Sequence, residues 1–255
     1  MLTQSKVGGL AVSGLEVRYP NGKQALSGID LTVKPGELVV ILGGNGCGKT
    51  TLMRCISRTL APTAGKVTVG GRDLTGLEGE ALRQARLDLA MISQHASLVK
   101  RRSVRANVAA GALGRYADWW SFLGRLPSAE LAAAHGYLAE VGLAELAEQR
   151  AGTLSGGQAQ RVAIARALAQ QPRVLLADEP VASLDPEAAE EIMSLLKRLA
   201  RTDNLAVLCV LHQVDLAYGH ADRLIGIRAG RVAFDLPGDE LPRDAVRDLY
   251  LREAA

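Results

Sequence analysis

Leu38-Val39-Val40-Ile41-Leu42, followed directly by Gly43-Gly44-Asn45-Gly46-Cys47-Gly48-Lys49-Thr50-Thr51, is the stretch that decides the fold. Its first five residues are a continuous apolar, mostly branched run. Such a run predicts a strand buried on both faces of a parallel sheet. The next eight fit G-x-x-x-x-G-K-[ST], a loop that wraps a phosphate chain with its own backbone. Gly43, Gly44, Gly46 and Gly48 lack a Cβ, so this loop can approach an anion closely. A helix beginning near Lys49 aims free N–H groups and the positive end of its dipole at that anion. Lys49 supplies a cation for the β/γ-phosphates, and the Thr50 hydroxyl is a hard ligand suited to Mg²⁺.

The surrounding chain has the size and composition for such a core. Its 255 residues fit one large α/β domain, with or without a helical insert, and an apolar fraction of 48% argues against disorder. A net charge of +3 is too small to predict an extended nucleic-acid surface. Cys47, Cys55 and Cys209 have no C-x-x-C spacing, which argues against a zinc site or disulfide framework and fits a reducing compartment. The N-terminus lacks the apolar core of a signal peptide. No run approaches the roughly 18 apolar residues that span a bilayer, so any membrane role must come through a partner.

Upstream, Leu15 to Tyr19 alternates like a strand, Pro20-Asn21-Gly22-Lys23 turns it, and Leu26 to Val33 returns. This predicts an antiparallel edge beside the parallel core. Downstream, Leu52 to Leu60 continues the helix to Pro62, Gly65 to Val69 is a short strand, Ala81 to Asp88 a helix and Leu89 to Ile92 a buried strand. From Ser103 to about Arg150 the chain is Ala- and Leu-rich. Ala129 to Val141 and Leu143 to Gln149 read as helices of an inserted subdomain. Four of nine aromatics, Tyr116, Trp119, Trp120 and Phe122, gather there beside Arg115 and Arg125, as a small helical core or as a docking surface. Later come strands at Val174 to Ala177 and Leu205 to Leu211, and a helix capped by Asp185 with Pro186 in its first turn. A hairpin around Ala229-Gly230 and a closing helix over Asp244 to Leu251 end the chain.

Lys49, Gln94, Asp178, Glu179 and His212 all sit just past apolar strands, and the carboxyl ends of parallel strands are where ligands bind. Asp178 suits Mg²⁺, Glu179 a general base for an attacking water, and Gln94 an amide ligand to the metal or that water. His212 suits a γ-phosphate contact. Alone, a Gln or His at such a place is ordinarily structural; together with the glycine loop they form one site. Leu154-Ser155-Gly156-Gly157-Gln158 is a second phosphate-binding helix start. One nucleotide hardly needs two from one chain, so two chains arranged head to tail are the economical solution.

Taken together, Gly43 to Thr50, Gln94, Leu154 to Gln158, Val174 to Pro180, Ser183-Leu184-Asp185 and His212 resemble the ATP-binding subunit of ATP-binding-cassette (ABC) transporters, over roughly Leu10 to Asp235. The resemblance implies an ABC-type P-loop ATPase fold: a mostly parallel sheet with an antiparallel edge, and an inserted α-helical subdomain. It places the α/β core at 10–94 and 171–235, the helical part at about 95–170 and a C-terminal extension at 236–255. It implies an ATP site of Tyr19, Gly43, Gly44, Asn45, Gly46, Cys47, Gly48, Lys49, Thr50 and Thr51, with Tyr19 stacked on adenine. Thr50, Gln94 and Asp178 are then the Mg²⁺ residues, and Glu179, His212 and Gln94 the catalytic ones. Ser155, Gly156, Gly157, Gln158 and Asp185 serve the ATP of a partner copy.

Finer matches at His95 to Val104, Ala109 to Arg115, Trp120 to Leu126, Leu211 to Ala217 and Ala221 to Gly226 look like the bacterial phosphonate-importer ATPases. That likeness implies a homodimer on the cytoplasmic face of the inner membrane. Its expected partners are two membrane-spanning permease subunits and an extracytoplasmic substrate-binding protein, with no nucleic acid. The alternatives are the same role for phosphite or another small oxyanion, or a soluble ABC ATPase outside transport.

Overall fold

The computed structural model describes residues 8–116, 127–238, 240, 242, 246, 249 and 250. Two sheets carry the chain. Strands β1 (Leu10–Arg18), β2 (Gln24–Val33), β4 (Ala64–Val69) and β5 (Arg72–Asp73) form an antiparallel sheet in the order β2-β1-β4-β5. The second sheet joins β3 (Leu38–Leu42), β6 (Leu89–Ile92), β7 (Val174–Asp178), β8 (Ala206–Val210), β9 (Arg223–Arg228) and β10 (Arg231–Pro237), in the order β10-β9-β3-β8-β7-β6. All its pairings are parallel except the β9–β10 hairpin. The antiparallel opening is therefore a sheet of its own, and the edge of the parallel sheet is antiparallel through β10.

The central strands read as they do because both faces are covered. Every residue of β3 and β8 is buried. Alternate residues enter different clusters, as the period of two requires. Leu38, Val40 and Leu42 pack with the helices of the middle of the chain, while Val39 and Ile41 pack with the antiparallel sheet and helix α1 (Lys49–Ile56). Strands β7 and β8 divide the same way: Leu175, Ala177, Val207 and Cys209 go to the first cluster, Val174, Leu176, Ala206 and Leu208 to the second.

Among the described residues, further α-helices are α2 (Gly79–Ala85), α3 (Val104–Ala109), α4 (Ser128–Glu140), α5 (Gly156–Ala169), α6 (Pro186–Asp203) and α7 (Val214–His220). Helices α3, α4 and α5 contribute Val104, Val108, Ala134, Leu138, Val162 and Ile164 to one cluster. Helix α6 is capped by Asp185, whose Oδ1 accepts from the Ala188 amide at 2.9 Å, with Pro186 in the first turn. It buries Ile192, Leu195, Leu196 and Leu199, each contributing about 1.5–3 kcal/mol by burial.

Two expected helices are shorter than read. Helix α1 stops at Ile56, not near Leu60: Arg58 takes a left-handed φ of 57°, and its guanidinium donates to the Leu74 and Leu77 carbonyls. Of Leu143 to Gln149 only Ala144–Leu146 forms a 3₁₀ turn. The Ala147 and Gln149 carbonyls turn away to accept from the Arg105 and Val104 amides at the start of α3. Trp119, Trp120, Phe122 and Arg125 lie outside the described residues. Their neighbours Arg115 and Tyr116 both donate to Glu130, at 2.5 and 2.6 Å.

Candidate nucleotide site

Strand β3 ends at Leu42 and α1 begins at Lys49, so the glycine loop bridges a parallel strand and a helix start. Gly48 stands at the helix N-cap with a φ of 115°; a Cβ there would meet the Ala25 carbonyl oxygen at 2.8 Å. Only glycine fits that position. Lys49 is buried, and its Nζ donates to the Gly43 and Gly44 carbonyls at 2.7 and 3.0 Å. A buried ammonium resting on two carbonyls, beside an open helix start, is a cation available to an anion.

A cleft of about 230 Å³ opens over this loop. It is lined by Tyr19, Lys23, Ala25, Asn45, Gly46, Gly48, Lys49, Thr50, Thr51, Glu179 and His212. The sequence candidates from four separate strand ends thus meet in one place. The turn at Pro20–Lys23 carries Tyr19 to the rim, where its hydroxyl lies 3.2 Å from Thr51 Oγ1. Lys23 and Ala25 were not foreseen as lining residues; the Asn21-Gly22 hairpin signal locates them, because it fixes where β2 starts.

Glu179 follows β7 and His212 follows β8, one strand over. Their side chains pair at 2.6 Å, His212 Nε2 to Glu179 Oε1. Glu179 holds a left-handed φ of 52°, and its amide donates to the Val210 carbonyl at 3.1 Å. A non-glycine residue there costs on the order of 1–3 kcal/mol, and such strain gathers at functional sites. Asp178 lies deeper. Burial first, then the Glu179 charge, pushes its carboxyl above the ordinary carboxylate range, while Lys49, Arg54 and His212 pull it back. A desolvated carboxylate beside a second one is a fitting neighbour for a divalent cation. Gln94 stands past the end of β6, exposed, and does not line the cleft.

Ser155 to Gln158 form a second cleft of about 470 Å³ with Ser183, Leu184 and Asp185. Ser155 caps α5, its Oγ accepting from the Gln158 amide at 3.3 Å, while Gln158 Oε1 accepts from the Ser155 amide at 3.0 Å. This is a reciprocal capping box, legible in the S-x-x-Q spacing. Gly156 and Gly157 are small because Leu184 and Ala188 press on them: a Cβ on either would lie 3.3 Å from those side chains. The two clefts share no residue.

Residues 26–182 match the family model described as ABC transporter. The chain belongs to the ABC transporter family. It is an ATP-hydrolysing cassette of that family. It is 46% identical over 244 residues to the phosphonates import ATP-binding protein PhnC of Thiobacillus denitrificans, covering 96% of this chain and 93% of that one. It is 44% identical over 244 residues to the protein of the same name from Wolinella succinogenes, covering 96% and 89%. Among solved ABC structures, CbiO1 of Clostridium perfringens, part of the transporter complex CbiONQ, superposes with a TM-score of 0.82 at 30% identity, covering 96% of this chain and 95% of that one. The cassette MJ0796, a dimer in a post-hydrolysis state bound to ADP and Pi, superposes with a TM-score of 0.76 at 30% identity, covering 89% and 98%. No helix among the described residues is long and apolar enough to cross a membrane.

Proposed function

We propose that this cassette is the ATP-hydrolysing subunit of a phosphonate importer and works as a pair of copies. The observation that carries the chemistry is the single cleft that gathers Lys49, Thr50, Glu179 and His212. In this reading Lys49 and the loop amides bind the β- and γ-phosphates, and Tyr19 supports the adenine. Glu179 takes a proton from the attacking water, and His212, already bonded to Glu179, orients it. Thr50 and Asp178, with Gln94 from the end of β6, would hold Mg²⁺, which supplies charge neutralisation between the phosphates.

The second cleft serves the partner. Ser155, Gly156 and Gly157 share no lining with the loop of their own chain, so their phosphate-binding helix start faces a nucleotide held by another copy. Asp185, the cap of α6 and a wall of that cleft, sits at the same boundary. Two-copy closure on ATP and reopening after hydrolysis is a ligand-driven population shift. The pair attaches peripherally to two permease subunits at the cytoplasmic face of the membrane, and an extracytoplasmic binding protein delivers the solute. The helical residues at about 95–170, inserted between core segments 10–94 and 171–235, and the extension at 236–255 are read as parts of this one cassette. The importer reading draws its support from the extent of likeness to the PhnC proteins, nearly the whole of this chain.

Uptake of a labelled alkylphosphonate tests it, in cells whose phosphonate importer depends on this chain. Cells carrying Glu179→Gln should lose phosphonate uptake and keep phosphate uptake. Unchanged phosphonate uptake in the variant would overturn the assignment of substrate.

A further inference from the structure

The loop that carries Gln94 is hung from the helices beside it. Strand β6 ends at Ile92, and residues 93–99 run on without regular structure. Three side chains hold this loop from outside. Gln160, buried in α5, donates from Nε2 to the Ser93 carbonyl at 3.3 Å, the peptide that leads into Gln94. Arg166, further along the same helix, donates from Nη2 to the Ala96 carbonyl at 2.7 Å and from Nη1 to the Ser97 carbonyl at 2.9 Å. Asn107 of α3, also buried, closes the far end: its Oδ1 accepts from the Val99 amide at 2.7 Å and its Nδ2 donates to the Val99 carbonyl at 3.2 Å.

Arg166 is the one cation among these three holds. Among the described residues no carboxylate pairs with it, so its half-buried guanidinium directs its charge at the two loop carbonyls. Burial lowers its pKa from the ordinary arginine value, and an arginine remains charged even so. Hydrogen bonds from a charged donor are the strong ones. The backbone beneath it is fixed as well: a Cβ on Gly111 would meet the Arg166 carbonyl oxygen at 1.9 Å, so the chain before α4 lies hard against α5 there. Ser97 holds a left-handed φ of 46°, a conformation that a non-glycine residue keeps where its surroundings impose it. The guanidinium on its carbonyl is such a constraint.

We propose that Arg166 is a positioning residue for Gln94: by gripping the Ala96 and Ser97 carbonyls it fixes where the loop presents the Gln94 amide relative to the nucleotide cleft. This rests on the reading of Gln94 as a residue for Mg²⁺. Neither Arg166 nor Gln94 lines the cleft. An exposed side chain outside the lining depends on its loop for its place, and a small misplacement of a reacting group is costly in rate. The grip therefore acts on turnover, while ATP affinity is left to the phosphate loop.

Arg166→Met keeps the apolar stem and removes the donors. Full-length wild type, Arg166→Met, Arg166→Lys, Gln94→Ala and the Gln94→Ala/Arg166→Met double variant are compared. The measurements are turnover at saturating Mg-ATP, equilibrium ATP binding, melting temperature, and hydrogen exchange over residues 93–99 without nucleotide. Arg166→Met should lower turnover about tenfold, the scale of one hydrogen bond to a charged group, with affinity within about twofold of wild type and exchange over the loop faster. In the Gln94→Ala background the same change should cost less than about twofold, because residues acting through one another are not additive. If Arg166→Met melts below the assay temperature, the same cycle with Arg166→Lys decides, its ammonium reaching one carbonyl in place of two. Wild-type turnover in a folded Arg166→Met would overturn the inference, and so would a loss confined to affinity. Gln94→Ala separates the two layers. Impaired turnover there, with the full Arg166 loss still added in the double variant, removes the Arg166 role alone; normal turnover in Gln94→Ala removes the reading of Gln94 and the Arg166 role with it.

Discussion

Glu179→Gln is expected to bind ATP and to hydrolyse it more slowly by about 10²-fold or more. The amide is nearly the same size as the carboxylate and can still pair with His212, so the left-handed backbone at Glu179 and the walls of the cleft stay in place. What disappears is the group that accepts a proton. Removing the charge also relieves Asp178, whose carboxyl is raised partly by Glu179. The fold and the binding site should therefore survive while turnover fails. Steady-state phosphate release together with equilibrium ATP binding checks this. Near-normal turnover would remove Glu179 from the chemistry.

Lys49→Ala should lose ATP binding by at least about 10²-fold, the scale of one charge-assisted contact of roughly 3 kcal/mol. The side chain is buried and has its ammonium on the Gly43 and Gly44 carbonyls, so alanine also leaves those carbonyls without their donor. The melting temperature, measured alongside affinity, separates loss of the cation from collapse of the loop. Retained tight binding in a folded variant would contradict the role of the loop.

Much of this site was legible because its chemistry is tied to strand ends. Leu38 to Leu42 and Val174 to Ala177 announce buried parallel strands by uninterrupted apolar runs, and the polar residues that follow must share one edge of the sheet. Lys49, Glu179 and His212 meet there for that reason. The spacing S-x-x-Q likewise carries the capping box at Ser155 and Gln158. Long-range facts were not legible. Nothing near Arg58 signals that α1 ends at Ile56; the left-handed turn is held by carbonyls sixteen and nineteen residues away. The Leu143 to Gln149 segment has helix-forming composition, yet its carbonyls serve α3 instead. The left-handed backbone at Glu179 follows from its tertiary bond to Val210, which no local pattern encodes.

The separation of the two helix starts proposed to bind phosphate, into clefts with no shared residue, is the feature on which the two-copy account stands. Sedimentation of the full-length Glu179→Gln chain, with and without Mg-ATP, tests it most directly, because this variant keeps the nucleotide. The account predicts a monomer without nucleotide that converts to a dimer with saturating Mg-ATP, and no conversion when Ser155 is also replaced by a bulky residue. A chain that binds Mg-ATP to saturation and remains monomeric at every protein concentration accessible to the measurement would contradict it.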